Sequence, residues 1–310
     1  MPQDTHYIPR FILKQFKEDG GLYELDKRTG NVQRRSPEAA AQFPDFYAPH
    51  IEAGIMGTWD NEASRICRSK VFGRAHVSIT PDEKRRLSAW IGLFFVRSPF
   101  NHQQMGLHVE AAKSDIRRLV GYLHRNAPSI LADLHAHSPG LFWQAMTLFG
   151  KTWGRQYLLG SVERRMRNDP GRFVPSTETA FHQHIESQSY LDFAQFIERM
   201  TWTWLHCPSG LVIGDSAMGR WHVPTRTPHY GVNRDGVEVT LPFTKELCLL
   251  MRKSDCGAVE GENVFCEEAH AGELNHRQIA SAVAYAFGPR RLLKPQDGYG
   301  FDLEVPQDST

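Results

Sequence analysis

The chain predicts an α+β fold, on three observations. A short alternating hairpin lies near the N-terminus, and a long middle region carries apolar residues at helical spacing. From Thr203 the pattern changes to short apolar segments separated by Pro, Gly and Asn turns, closed by one more helical stretch. Strand-like and helix-like segments segregate along the chain instead of alternating, as expected of an α+β protein. The 310 residues suffice for one large core. Residues 1–290 are read as a single composite domain: a signature segment and hairpin (1–50), a helical region (59–202), and a β-rich unit with the last helix (203–290). Residues 291–310 form a polar tail.

The elements follow in order. Leu22-Tyr23-Glu24-Leu25 alternates, Arg28-Thr29-Gly30 turns and Val32 opens the return strand. A connection bearing Pro44 and Pro49 leads to a helix over Trp59 to Phe72. Thr80-Pro81-Asp82-Glu83 supplies an N-cap hydroxyl, proline at N1 and glutamate at N3, the pattern of a capping box. The helix it opens carries Leu87, Trp90, Ile91, Phe94 and Phe95 on helical spacing and stops near Ser98-Pro99. Further helices fit His102 to Asn126, Pro128 to His135 and Leu141 to Phe149. After a linker over Pro170 to Pro175, a long helical pattern covers Thr177 to Trp202. Trp204 to His206, Leu211 to Ile213, Val237 to Leu241 and Leu247 to Met251 read as strands, and Gly272 to Phe287 as the closing helix.

Composition narrows the function. With 36 basic and 35 acidic residues the net charge is +1, so a nucleic-acid partner needs a local patch. No apolar run reaches the length of a membrane span, and residues 1–20 carry six charges and no signal-peptide core, so we expect no membrane partner and a cytoplasmic location. The five cysteines are scattered without a CxxC pair, which indicates neither a disulfide framework nor a structural zinc site. We expect no cofactor and no metal.

Candidate site residues come from four places. His6-Tyr7-Ile8-Pro9-Arg10-Phe11, running into Leu13, Lys14 and Phe16, interleaves cations with aromatics where a terminus ordinarily frays. His6 suits acid–base work near neutral pH, and Arg10 and Lys14 suit an anion; alternatively the apolar residues only pin the segment and His6 caps it. Arg97 ends the most apolar helix, either paired and snorkelling or presenting its fork in a cleft. Asp215 follows the apolar Leu211-Val212-Ile213, as a placed carboxylate or as a turn residue bonding its own backbone. Asn275 lies on the polar side of the last helix, where it can close a site. The pairs His135/His137 and His182/His184 lack metal-ligand spacing; on a helix His182 and His184 point about 200° apart. The run Arg164-Arg165-Met166-Arg167 reads as a solvated helix face.

These positions share a pattern with a known family. His6-Tyr7-Ile8-Pro9 with Leu13 and Phe16, Arg97-Ser98-Pro99, the Asp215 turn and the helix from Asn275 to Ala280 resemble motifs of the bacterial domain-of-unknown-function family 4238 over roughly residues 5–290. The turn here, Gly214-Asp215-Ser216-Ala217, keeps the Asp and lacks the family's proline, and the Asn-to-Ala spacing is one residue longer. The resemblance implies a shared polar site, not a reaction.

The leading expectation is a metal-independent hydrolase acting on a phosphate- or carboxylate-bearing substrate, in its most specific form a nuclease of toxin or phage-defence type. His6 serves as acid or base, Asp215 orients it or takes the proton, Arg97 and Arg10 hold the anion, and Lys14 and Asn275 assist in binding. The alternative is a non-catalytic binding or regulatory protein that recognises a small anionic ligand or a partner chain. Trp59, Trp202, Trp204 and Trp221 then serve as pocket walls or anchors.

Overall fold

The computed structural model describes residues 4–44, 48, 50–111, 131–132, 135–136, 160, 163, 176–188, 190–228, 235–253 and 259–293. The expected helices beyond residue 111 and up to 149, the linker at 170–175, the arginine run at 164–167 and the polar tail lie wholly or mostly outside these residues. The chain divides into two compact units, residues 1–101 with 185–310, and residues 102–184. In the second unit, His102 packs edge-on against the buried Phe181, ring centroids 5.1 Å apart. Apart from the helical segment at 177–186, the remaining description concerns the first unit.

The fold is α+β. Strand β1 (Asp4–His6) pairs antiparallel with β4 (Gln42–Pro44). Between them lie the short helix α1 (Arg10–Leu13) and the expected hairpin, β2 (Leu22–Asp26) against β3 (Val32–Arg35). Helix α2 (Gly57–Ile66) is flanked by π-helical turns over Ile51–Met56 and Cys67–Val71. It therefore starts earlier than the sequence pattern, within the segment following Pro49. Helix α3 (Pro81–Val96) carries both bonds of the capping box, Glu83 N–H to Thr80 Oγ1 and Thr80 N–H to Glu83 Oε2, and ends on Arg97.

The long pattern from Thr177 to Trp202 is broken twice. Gln188 adopts φ +57° and separates α4 (Thr177–Glu186) from α5 (Tyr190–Arg199), a left-handed residue at a helix end. From Thr201 the chain is already strand β5 (Thr201–His206): the β-branched and aromatic Thr-Trp-Thr-Trp favours extended backbone over helix. Short strands follow, β6 (Ile213–Gly214), β7 (Gly219–His222) and β8 (Thr227–Pro228), then β9 (Val237–Thr244), β10 (Leu247–Arg252) and β11 (Glu262–Phe265). The closing helix α6 is Glu268–Ser281, and the end of its expected span is instead strand β12 (Tyr285–Gly288).

These strands form a six-stranded sheet, β11-β5-β10-β9-β7-β8, and a four-stranded sheet, β3-β2-β12-β6. Only β11 runs parallel to its neighbour in the larger sheet. The aromatic core lies between α3 and that sheet. Trp90 of α3 meets Phe94 at 5.1 Å and Phe243 of β9 at 5.9 Å, and Phe243 meets Trp204 of β5 at 5.4 Å. Helix α5 crosses α3 closely at Gly92, where a Cβ would lie 2.5 Å from the Tyr190 carbonyl oxygen. No helix of the described residues is long and apolar enough to cross a membrane.

Candidate functional site

The N-terminal signature is held by its apolar residues. Ile8, Ile12, Leu13 and Phe16 are fully buried, and Phe11 reaches the Trp90 ring at 5.7 Å. Pro9 starts the α1 turn by accepting the amides of Ile12 and Leu13. Docking of this segment fixes His6 in strand β1, opposite Gln42, and leaves Arg10 and Lys14 exposed on the next turn.

His6 is half-buried, and its Nε2 lies 3.0 Å from the Glu38 carbonyl oxygen. A carbonyl only accepts, so Nε2 carries the proton and Nδ1 of the neutral ring carries the lone pair. Burial lowers the His6 pKa below 6.5; the carbonyls of Glu38 and Pro37 oppose this, and the positive charges of Arg10 and Arg97 add to it. The structure thus brings His6, Arg10 and Arg97 into one electrostatic neighbourhood. Lys14 is drawn aside to Glu38, with an exposed ion pair of 3.7 Å.

Arg97 is 1% exposed and paired. Its Nη2 donates to Asp60 Oδ1 at 2.9 Å and Nη1 to Asp60 Oδ2 at 3.0 Å, a bidentate fork. The guanidinium also lies over the Phe94 ring at 5.0 Å, and Trp90 Nε1 donates to Asp60 Oδ1 at 2.8 Å. Arg97 therefore supplies a fixed positive charge, with the face of its fork already occupied.

Two carboxylates that sequence reasoning missed complete this neighbourhood. Asp60 is one. Glu52, in the π-helical turn before α2, is the other. Burial raises the Glu52 pKa above 4.5, with Asp60 adding to the rise while Arg97 and Arg10 oppose it. Its Oε2 is buried and, among the described residues, has no hydrogen-bond partner. A buried carboxylate oxygen left unbonded is costly, and such groups concentrate at functional sites. The π-turn is itself a departure that recurs at such sites. Neither signal is visible in a sequence read for α-helical spacing.

Asp215 and Asn275 have other partners. Asp215 is 1% exposed; its Oδ1 accepts from the Val283 amide at 2.6 Å, and its Oδ2 from Ala284 at 2.6 Å and Tyr285 at 2.8 Å. Burial raises its pKa, while these three amides and the charge of Lys27 pull it down. Lys27 in turn donates to the Ala282 carbonyl. The carboxylate caps the turn between α6 and β12 and guides β12 into the sheet. Asn275 accepts from the Val212 amide at 2.8 Å and donates to the Gly210 carbonyl at 3.1 Å. One turn on, Gln278 accepts from Gly214 and donates to Thr240. These amides fasten α6 to the strands beneath it.

The tryptophans are chiefly core. Trp202 and Trp204 are fully buried, Trp221 lies under Arg277 and against His276, and Trp59 donates to the Tyr190 hydroxyl at 3.1 Å. Among the described residues no group of three or more His, Cys, Asp or Glu is placed to hold a metal ion.

A family model described as a protein of unknown function, DUF4238, matches residues 5–291. No curated protein and no solved structure matches the chain.

Proposed function

Because the chain belongs to the DUF4238 family of proteins of unknown function, we propose its function from the site itself: acid–base hydrolysis of a phosphate- or carboxylate-bearing substrate, most specifically phosphodiester cleavage in nucleic acid. The observation that carries this reading is that His6 and Glu52 both lie within reach of the same two charges, those of Arg10 and Arg97. One group is held more acidic than a free histidine and the other less acidic than a free carboxyl. A lowered histidine pKa keeps the ring neutral and able to accept a proton near pH 7, and a raised carboxyl pKa favours a group that can give one.

In this reading Nδ1 of neutral His6 takes a proton from the attacking water as its oxygen bonds to phosphorus. Protonated Glu52 gives its proton to the leaving oxygen as the ester bond breaks. Arg10, exposed beside them, holds the anionic oxygens with Lys14. Arg97 contributes charge, and Asp60 orients it. The carboxyl working with His6 is Glu52 in place of Asp215, whose oxygens are taken by backbone amides. A toxin or phage-defence effector is the biological form such an activity would take.

Growth of bacteria inducing wild type, His6→Ala and Glu52→Gln tests the reading, with RNA and DNA run on gels and melting followed on the purified variants. Toxicity with degraded nucleic acid, lost in both folded variants, supports it; intact nucleic acid at confirmed expression rejects it. The bond from the His6 ring to a main-chain carbonyl favours a second reading, a non-catalytic module for a small anion or partner chain. There, ligand binding survives His6→Ala.

A further inference from the structure

The net charge of +1 means that a polyanion must meet a local patch, and helix α2 carries one. Asn61, Ser64, Arg65, Arg68 and Ser69 line a single open groove of about 400 Å³. They recur at i, i+3, i+4, i+7 and i+8 from α2 into the π-helical turn after it, so Asn61, Ser64, Arg65 and Arg68 present side chains of the kind that donate to phosphate oxygens on one side, while the Ser69 hydroxyl donates to the Arg65 and Ile66 carbonyls. Asn61, Arg65, Arg68 and Ser69 are exposed.

The charge balance along this face is positive. Glu62 is shared between two guanidiniums, Arg65 at 2.7 Å and Arg86 of α3 at 2.5 Å. Asp82 is likewise shared by Arg85 and Arg86. Arg68 forms no ion pair among the described residues, and Arg74 donates only to the Ser69 carbonyl, at 3.0 Å. Arg65 and Arg68 line the groove, and Arg86 and Arg74 reach its neighbours Glu62 and Ser69, so these four arginines stand against Glu62 and Asp82. The groove also adjoins the candidate site in sequence: Asn61 follows Asp60, about 100° further round the same helix.

We propose that this face, running from α2 into the π-helical turn after it, is the docking surface for the sugar–phosphate backbone of a nucleic acid, with Arg65 and Arg68 as its principal phosphate contacts. The substrate class rests on the hydrolase reading above; the surface does not. An acidic protein would also be attracted by charge, but the Asn61 amide and Ser64 hydroxyl beside arginines one turn apart suit successive phosphates better than scattered carboxylates.

Fluorescence anisotropy of the full chain with labelled single-stranded RNA, single-stranded DNA and duplex DNA, over a series of salt concentrations, tests the surface. The expected result is salt-dependent binding that Arg65→Gln/Arg68→Gln weakens on the order of tenfold, with a salt slope shallower by roughly 1.5–2. Melting curves confirm that each variant is folded. Absence of wild-type binding to all three probes overturns the proposal. So does a folded double variant with unchanged affinity and slope. Arginine-dependent binding without cleavage leaves the surface standing and removes the hydrolase reading; cleavage that needs His6 but not Arg65 and Arg68 does the reverse.

Discussion

Arg97 and Asp60 form a closed bidentate pair, 2.9 and 3.0 Å, with the guanidinium out of solvent and the carboxylate side chain 27% exposed. Breaking one side of such a pair leaves an uncompensated buried charge, which costs about 3–5 kcal/mol. Asp60→Asn should therefore destabilise the protein by that order and lower the midpoint of urea unfolding. Arg97→Met in the Asp60→Asn background removes the stranded charge and should recover part of the loss. Equal stability of Asp60→Asn and wild type would show that the pair is not what holds α2 against α3.

His6 gives a pH dependence with a definite sign. Its pKa is lowered in the folded state, so below 6.5 the unfolded chain binds more protons than the native one. Stability from the neutral ring is complete above pH 6.5 and is lost as pH falls through the lower, folded value. A titration of the imidazole by NMR should place its midpoint under 6.5, and His6→Gln should flatten the stability profile across that window. If His6 is the general base, the acid limb of the activity profile follows the same folded pKa. A midpoint at or above 6.5 contradicts the burial and the arginine charges described around the ring.

Glu52 separates function from stability. Its Oε2 is buried without a partner among the described residues, and an amide of the same shape fits there uncharged but has no acidic proton to give. Glu52→Gln should leave stability unchanged or raise it by up to about 1 kcal/mol, while lowering hydrolytic activity by roughly 10²–10⁴-fold. A large loss of stability would instead mark Glu52 as a structural carboxylate, and unchanged turnover would remove it from the mechanism.

The sequence made the frame legible where the signal was local. Thr80-Pro81-Asp82-Glu83 and the Leu22–Leu25 hairpin are read from neighbouring residues, and both are present. Errors arose where distant groups decide. Gln188 breaks a helical pattern by its φ alone, and the expected last helix yields β12 to a sheet whose other strands lie far away in sequence. The site follows the same division. His6, Arg10 and Arg97 stand out as cations among apolar residues, whereas Glu52 and Asp60 look like ordinary solvated carboxylates on a helix. Only the packing of α2 onto α3 turns Asp60 inward. Asp215 and Asn275 show the converse: polar residues in a motif can serve backbone amides as readily as a substrate.

That last distinction can be measured at Asp215. Asp215→Ala removes the acceptor of the Val283, Ala284 and Tyr285 amides together, and leaves the buried Lys27 without its nearby negative charge. Buried donors left unbonded cost about 1–3 kcal/mol each before relaxation, so a loss of at least about 3 kcal/mol is expected. Asn275→Ala, which strands the Val212 amide and the Gly210 carbonyl, should cost roughly 2–3 kcal/mol on the same grounds. Activity per folded molecule should be nearly unchanged in both, measured at a temperature where each variant remains native. A stable Asp215→Ala protein that has lost activity would return this carboxylate to the catalytic role suggested by its motif.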